Sequence, residues 1–363
     1  MRRAAYLIAS VLIIGALGGI LGSFFDFGGK KISITRDAAS SDAEEHASGE
    51  AGDSGSGAVV VAQNPLTGES CGNGDKRPVA VMLAGDAAAR PLSGIAEADI
   101  VVEMPVLQNG ITRYMAVFRC EEPQDIGPVR SARHDFLPFA KSFDAVFAHW
   151  GGSYLALDIL RTRAIDNIDA LVNPFETFYR KEGLVAPDNG FASFAKLSQT
   201  AADMGYRADT AAKKYVHIRD EALLFGIQHI MLGYPFPYNV VFDYNPQTNT
   251  YLRSRGGKKE LDGQTQKQVE VKNLIVMTAS SRQVSKDYNE VDVTGEGNAV
   301  VYRNGQAVRG KWKRIAETYA KGLSLEDNKY YFVDADGAEI GLVPGKIWIA
   351  VIQQNQKVEQ IFE

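Results

Sequence analysis

The stretch ADIVVEMPVLQNGITRYMAVFRCEEPQDIGPVRSARHDF, Ala98 to Phe136, decides the fold of the surrounding chain. It contains two apolar runs of strand length, separated by Asn109-Gly110, a dipeptide that favours a tight hairpin turn. The hairpin leads into a loop that carries Arg130, Ser131 and Arg133. Because guanidinium groups bind phosphate and carboxylate through paired hydrogen bonds, this loop predicts an anion site. The sequence does not name the anion.

Charged side chains also occur inside the two strand patterns. Glu103 lies in the first strand, Ile100 to Pro105, and Arg113 lies in the second, Thr112 to Cys120. Whether Glu103 and Arg113 share a face depends on the register, because a one-residue slip moves every side chain to the other face. These charges form either structural ion pairs or part of a ligand site.

The length and the charge of the chain limit its class. Its 363 residues suffice for two domains, each with its own core. The net charge of −5 argues against a general nucleic-acid binder, because such proteins carry a basic face for the phosphate backbone.

The N-terminus predicts a signal anchor within residues 1–28. Ala4 to Phe25 contains no charged side chain and is long enough to cross a bilayer, which needs roughly 20 apolar residues in a helix. Arg2 and Arg3 precede this segment and favour a cytoplasmic N-terminus, with the remaining chain outside the cell membrane. A cleaved signal peptide and a buried helix are the alternatives.

The next segment, residues 29–62, is predicted to be a disordered tether. Thr35 to Gly57 is rich in Ala, Ser, Gly, Asp and Glu, and it cannot bury enough apolar surface to offset its ordering entropy. We expect this tether to lift extracytoplasmic domains off the membrane.

Two cysteines, Cys71 and Cys120, follow the tether. Disulfides persist outside the cytoplasm, and both residues lie at ends of predicted strands, so neighbouring strands could bring them together. The alternatives are a Cys71–Cys120 disulfide and two free thiols. No C-x-x-C motif or His/Cys cluster suggests zinc.

A second pattern typical of anion sites follows the stretch that decides the fold. The apolar strand Ala145 to His149 precedes Gly151-Gly152-Ser153, and Tyr154 to Arg163 then reads as a helix. Free backbone N–H groups and the helix dipole point the same way at such a turn. Ser153 is either a helix N-cap or a nucleophile, and His149 is either a buried core residue or a ligand contact.

The order of elements predicts an α/β fold class. Strands alternate with helices over residues 63–215, which favours an α/β sandwich domain. The pattern then changes to strands with short polar turns, such as Asn304-Gly305 and Asp336-Gly337. Residues 216–363 are therefore predicted to form a mostly-β C-terminal domain.

Many short motifs, in one order, resemble the YerB-like lipoprotein family of Gram-positive bacteria, whose two halves are classed as domains of unknown function. They include Asn64-Pro65-Leu66-Thr67-Gly68, Gly110-Ile111-Thr112-Arg113, Gly127-Pro128-Val129-Arg130-Ser131-Ala132-Arg133, Gly151-Gly152-Ser153 and Pro344-Gly345-Lys346-Ile347-Trp348. Members named as lipoproteins need a cysteine after the signal segment, and Leu21-Gly22-Ser23 has none. The resemblance therefore implies attachment through the N-terminal helix rather than through lipid.

The first domain also looks distantly similar to the LytR-CpsA-Psr phosphotransferases, which move cell-wall glycopolymers from a polyprenyl-pyrophosphate carrier. Asp99 and Arg130 carry over from that family's pattern, and Arg180 lies near its arginine-rich loop. The acidic residue after the first arginine is missing, and Asn189 and Ser193 stand where the later arginine pair is expected. The resemblance implies a LytR-CpsA-Psr-like α/β sandwich and Mg²⁺ held by Asp99 or Glu103, because phosphoryl transfer needs positive charge at the phosphate.

The candidate ligand-binding residues combine these patterns, and no catalytic or metal-ligating residue is assigned. They are Arg90, Asp99, Glu103, Arg113, Arg130, Ser131, Arg133, His149, Gly152, Ser153, Arg180 and Asn189. The expected partners are the membrane and an envelope glycan or lipid-linked phosphate. Three functions remain open: an anion-binding envelope protein, a glycopolymer phosphotransferase, and a non-catalytic envelope scaffold or regulator.

Overall fold

The computed structural model describes residues 61–107, 111–286, 288–314 and 328–362. The predicted signal anchor, the predicted tether up to residue 60 and the predicted Asn109-Gly110 turn lie outside these ranges. Within them, no helix is both long enough and apolar enough to cross a membrane.

Short strands dominate the described part of the chain, and the helices are few and short. The strands are β1 Ala62–Gln63, β2 Ser70–Cys71, β3 Val79–Leu83, β4 Ile100–Pro105, β5 Thr112–Phe118, β6 Val146–His149, β7 Asn167–Asp169, β8 Phe178–Arg180, β9 Gly190–Ala192, β10 Ile227–Leu232, β11 Val240–Asn245, β12 Thr250–Arg255, β13 Lys258–Lys259, β14 Glu270–Val271, β15 Asn273–Ala279, β16 Ser281–Ser285, β17 Tyr288–Val291, β18 Gly295–Arg303, β19 Gln306–Arg314, β20 Tyr331–Val333, β21 Ile347–Gln353 and β22 Val358–Phe362. The α-helices are α1 Leu137–Ser142, α2 Tyr154–Arg161 and α3 Phe194–Asp203, and the 3-10 turns are Ala87–Ala89, His134–Phe136 and Pro174–Glu176.

Ten of these strands form one long mixed sheet, in the order β20-β19-β18-β15-β21-β4-β5-β3-β6-β7. β21, from the end of the chain, lies between β15 and β4 and runs parallel to both. Every side chain of β3, β4 and β5 is buried, as their apolar runs predict for strands covered on both faces.

The register of the central hairpin separates the two charges that the sequence left open. Glu103 pairs with Tyr114, and Met104 pairs with Arg113. Directly paired residues share a face of the sheet, and successive residues alternate. Glu103 and Arg113 therefore lie on opposite faces.

A second, six-stranded antiparallel sheet covers the face that carries Glu103. Its order is β13-β12-β11-β10-β22, with β14 beside β12. Phe242 of this sheet packs edge-on against Trp348 of the long sheet, with ring centroids 5.9 Å apart. The opposite face is covered by α1 and α2, whose buried Phe139 and Leu160 join the apolar cluster on that side.

The predicted α/β sandwich is wrong, because the described part of the chain is mostly β. The three α-helices are only 6, 8 and 10 residues long, too short to cover a sheet of ten strands. A central strand needs cover on both faces, and on the Glu103 face most of that cover comes from a second sheet formed by residues after 226. The predicted boundary between residues 215 and 216 stays a prediction, and the long sheet takes strands from both sides of it.

A buried ion pair joins the two sheets. The Arg253 Nη2 atom of β12 donates to Glu103 Oε2 of β4 at 2.8 Å, and both side chains are fully buried. Thr112 Oγ1 and Trp348 Nε1 also donate to the Glu103 carboxylate, at 2.8 and 3.2 Å. Although burial alone would raise it, Arg253 and Arg255 hold the pKa of Glu103 below its usual value.

The Cys71–Cys120 disulfide is confirmed, with Cα atoms 5.5 Å apart. Next to it, Asp99 accepts hydrogen bonds from the backbone N–H groups of Arg119 and Cys120, at 2.6 and 3.1 Å. The disulfide therefore holds the end of the central hairpin to the segment before β3, and Asp99 holds the start of β4 to the end of β5.

We expect Glu103→Ala to lower the free energy of unfolding by about 3–5 kcal/mol, because it removes one of the two carboxylates paired with buried Arg253 and leaves the donors around Glu103 without their acceptor. Urea denaturation followed by circular dichroism measures this loss. Glu182→Ala is the matched control, since Glu182 is exposed and its removal should change stability by less than about 0.5 kcal/mol. A loss below about 1 kcal/mol for Glu103→Ala would contradict a stabilising role for the pair.

Candidate functional site

The loop that carries Arg130 is fixed by backbone hydrogen bonds to three neighbouring segments. The Arg130 N–H donates to the Met82 carbonyl at the end of β3, at 2.8 Å. The Val129 N–H donates to the Gly190 carbonyl of β9 at 2.7 Å, and the Trp150 N–H donates to the Arg130 carbonyl at 3.0 Å. These backbone hydrogen bonds therefore fix the position of the loop.

The loop borders a cavity of about 280 Å³. It is lined by three arginines, Arg113 of β5, Arg130 of the loop and Arg180 of β8, together with Trp150. We call this site the arginine pocket. Its remaining lining residues are Val129, Ser131, Ala186 and Pro187.

Arg130 is held by two carboxylates. Its Nη2 atom lies 2.6 Å from Asp86 Oδ2, and its Nη1 atom lies 3.1 Å from Asp188 Oδ1. The Arg130 side chain is only 15% exposed, so the pair is partly shielded from solvent. Asp188 directly follows Pro187, which lines the pocket.

Arg113 is the least compensated charge in the pocket. It is 7% exposed, and its Nη1 atom donates to the Ser131 carbonyl at 3.1 Å. Its Nε atom is buried and has no hydrogen-bond partner among the described residues. Burial, reinforced by repulsion from Arg133 and Arg130, lowers the pKa of Arg113 to about 9.

Arg180 and Trp150 also line the pocket and contact each other. The Arg180 guanidinium lies over the Trp150 ring, 4.5 Å from its centroid, in a cation–π contact. Arg180 also donates to the side-chain oxygen of Asn189. The structure thus brings together four predicted residues that line the pocket, Arg113, Arg130, Ser131 and Arg180, with Asn189 behind Arg180.

The other predicted residues of this region serve the surrounding structure. Arg133 lies over the Tyr288 ring, 4.8 Å from its centroid, and is not part of the pocket lining. His149 is fully buried between the Gly151 carbonyl and the Asn167 side chain, at 2.8 and 3.2 Å.

The glycine-serine turn packs and caps rather than facing the arginines. Ser153 is the N-cap of α2, where its hydroxyl accepts from the Ala156 N–H at 3.2 Å. Gly152 packs closely against its neighbours, because an added Cβ would lie 3.1 Å from the Leu157 side chain and 3.2 Å from the Ala132 side chain. The pattern predicted from the sequence is present, and its parts have local structural partners.

Three further predicted residues lie away from the arginine pocket. Asp99 binds backbone N–H groups beside the disulfide, and Glu103 lies between the two sheets. Arg90 lines a different cavity. The two carboxylates considered for Mg²⁺ therefore do not face Arg130, and the described residues contain no group of three or more His, Cys, Asp or Glu side chains arranged to hold a metal.

Sequence reasoning missed Trp150, Asp86 and Asp188. Trp150 directly follows the predicted strand that ends at His149, so its position at a strand end was a usable signal. Asp86 and Asp188 lie 44 and 58 residues from Arg130, and nothing in their local sequence indicates that pairing.

Two family models match successive parts of the chain. The family described as "Protein of unknown function (DUF3048) N-terminal domain" matches residues 66–207, and the corresponding C-terminal domain matches residues 232–349. The three arginines and the tryptophan of the arginine pocket lie within the first match.

One curated relative and one solved structure are similar along most of the chain. The Bacillus subtilis protein named "Putative lipoprotein YerB" is 28% identical over 283 residues, which is 77% of this chain and 82% of that protein. The crystal structure of YerB protein from Bacillus subtilis matches with a TM-score of 0.71 and 26% identity, over 82% of this chain and 99% of that one. These matches do not support the expected resemblance to LytR-CpsA-Psr proteins.

Asp99 predicts a measurable dependence of stability on pH. Burial, only partly offset by the two backbone N–H groups, raises the pKa of Asp99 to about 6. Between about pH 4 and pH 6 the folded protein keeps a proton that the unfolded chain has lost, so stability falls as the pH rises. We expect the free energy of unfolding of the natural protein, relative to Asp99→Asn, to fall by about 3 kcal/mol from pH 4 to pH 7. Urea unfolding curves across this range measure the difference, and parallel profiles for the two proteins would contradict it.

Proposed function

The chain belongs to the YerB-like family of DUF3048 proteins, as its sequence predicts, and on this premise we propose that it is a membrane-anchored envelope protein whose arginine pocket binds a phosphate-bearing anion. The relative from Bacillus subtilis is named as a lipoprotein, which supports a location at the membrane. In this chain the apolar segment Ala4 to Phe25 takes the place of a lipid anchor.

The observation that carries the proposal is that Arg113 is buried with an unmet hydrogen-bond donor. A guanidinium that is 7% exposed and has an unpartnered Nε costs free energy unless another group supplies the missing hydrogen bond. Arg130 and Arg133 add repulsion to that cost. An anion in the pocket would satisfy Arg113 and relieve the repulsion together.

The size and lining of the pocket favour a small phosphate ester. A volume of about 280 Å³ lies at the lower end of the range for small-molecule sites. The arginines suit a phosphate through their paired donors. Trp150 and Pro187 supply apolar surface for a compact body such as one sugar ring.

The scaffold reading rests on a different observation, the two carboxylates on Arg130. If Asp86 and Asp188 fully satisfy Arg130, the pocket is a structural ion network. Asp188 distinguishes the binding proposal from the scaffold proposal. If the pocket binds an anion, Asp188 competes with that anion for Arg130; if the pocket is structural, Asp188 only stabilises the loop. No observation favours the transferase interpretation, since neither Asp99 nor Glu103 lines the arginine pocket.

Titration calorimetry of the full chain in detergent micelles, with glucose 1-phosphate as the probe and glucose as its uncharged counterpart, tests the pocket. Arg130→Gln and Arg180→Gln should each weaken binding of glucose 1-phosphate by about tenfold or more, because each removes a charge-assisted hydrogen bond. Asp188→Asn should tighten binding, because it frees the Arg130 Nη1 atom.

Arg219→Gln is the matched control, since the Arg219 side chain is 90% exposed and does not line the pocket. Equal affinity for glucose and glucose 1-phosphate, or no change on replacing Arg130 and Arg180, would overturn the binding proposal. A loss of stability without tighter binding in Asp188→Asn would favour the scaffold.

The anchor has its own test in cells that express the full chain. Because Ala4 to Phe25 is predominantly apolar and contains no charged side chain, the protein should stay in the membrane pellet after alkaline carbonate extraction. Deletion of residues 4–25 should move it to the soluble fraction. Release of the undeleted chain by carbonate would refute the anchor.

A further inference from the structure

A second cavity, of about 510 Å³, lies between the segment around Arg90 and the β12–β13 hairpin. Four cationic side chains line it, Arg90, Arg255, Lys258 and Lys259, and we call it the second basic pocket. It shares no lining residue with the arginine pocket. Arg90 comes from the first half of the chain, and the other three cations come from the second half.

Arg255 forms the buried base of this pocket. It is 4% exposed, and its Nη2 atom donates to Thr112 Oγ1 at 2.8 Å. Its Nε and Nη1 atoms are buried and have no hydrogen-bond partner among the described residues. A buried arginine that lines a cavity with two unmet donor atoms is a site prepared for an acceptor.

Arg90 adds a second partly satisfied guanidinium. Its Nη1 atom donates to the Pro237 carbonyl at 3.2 Å, whereas its buried Nε and Nη2 atoms have no partner among the residues that the structure describes. Both guanidiniums lie over the Tyr238 ring, 5.6 Å from its centroid for Arg90 and 5.4 Å for Arg255. Their contact with the same ring keeps the two cations close together despite their like charge.

The carboxylates of this region do not neutralise the pocket. Glu260 lines it, but its carboxylate is paired with Arg253. Glu103 lies 3.9 Å from Arg255 and is already bonded to Arg253, Thr112 and Trp348. Burial, with repulsion from Arg90, lowers the pKa of Arg255 to about 10, although Glu103 opposes that shift. The pocket therefore keeps excess positive charge.

Part of the pocket lining is apolar. Phe236 is 79% exposed, and Pro91, Pro237 and Leu261 lie beside it in the lining. The exposed phenylalanine and the prolines offer apolar contacts, and the arginines at the bottom of the pocket offer charged contacts, to one and the same molecule. The charged end of a ligand would meet the arginines, and its apolar body would meet Phe236.

We propose that the second basic pocket binds an amphiphilic phosphate, with its phosphate on Arg90 and Arg255 and its apolar or aromatic body against Phe236. The exposed Lys258 and Lys259 of β13 add long-range attraction for the anion. This site is additional to the arginine pocket and does not depend on it. The phosphate belongs either to a lipid head group or to a soluble aromatic ester.

The test uses the full chain in detergent micelles with Arg130→Gln and Arg180→Gln both present, so that the arginine pocket is disabled. Phenyl phosphate should still bind to this protein, about tenfold or more tightly than inorganic phosphate, because the ring adds apolar contact. In this background, Arg90→Gln and Phe236→Ser, added one at a time, should each weaken phenyl phosphate binding by about tenfold. Arg219→Gln, added in the same way, should leave the binding unchanged. Circular dichroism of each variant checks that it is folded.

Dihexanoylphosphatidic acid, a soluble short-chain lipid phosphate, identifies the source of the ligand. Tighter binding of this lipid than of phenyl phosphate supports a lipid head group, and the reverse order supports a soluble aromatic phosphate. If the protein with Arg130→Gln and Arg180→Gln binds no phenyl phosphate, the second basic pocket is overturned as a ligand site. The proposal for the arginine pocket is not affected by that result. Binding that neither Arg90→Gln nor Phe236→Ser alters also overturns it.

Discussion

The ion pair between Glu103 and Arg253 determines how the two sheets of this protein meet. Both side chains are fully buried; Glu103 is compensated by Arg253 and by the Thr112 and Trp348 donors, and Arg253 is compensated by Glu103 and Glu260. Trp348 contacts both members of the ion pair. Its Nε1 atom donates to Glu103, and the centroid of its ring lies 4.2 Å from the Arg253 guanidinium. The six-stranded sheet can therefore pack on the long sheet only in a position that brings β12 over β4.

That position has consequences for both basic pockets. Thr112 lies on the same face as Glu103 and donates to it, and it also accepts from Arg255 at the base of the second basic pocket. The next residue, Arg113, points to the opposite face and lines the arginine pocket. Strand alternation thus places two successive residues of β5 in two separate sites. Asp86 serves both, since it pairs with Arg130 and its charge opposes the lowered pKa of Arg113, Arg90 and Arg255.

Local pattern was a good guide where local physics decides the structure. The apolar runs predicted β4 and β5, Ser153 caps α2, and the two cysteines pair. The α/β sandwich failed because cover for the central strands comes from residues more than 100 positions later, such as Arg253, which lies 150 residues after Glu103. The candidate site divides in the same way: the arginine loop was visible in the sequence, whereas the carboxylates that pair with it are distant in the chain and have no local signature.

The same long-range dependence ties the two family matches into one structure. β4 lies within the first match and is flanked by β5 on one side and by β21 on the other, and β21 begins within the second match. Without β21 the edge of β4 would expose unpaired backbone groups, and without β12 Glu103 would lose Arg253. The strand before the arginine loop is β5, so its position depends on β4 and thereby on both matches. A pocket whose lining comes from the first half of the chain is therefore positioned by the second half.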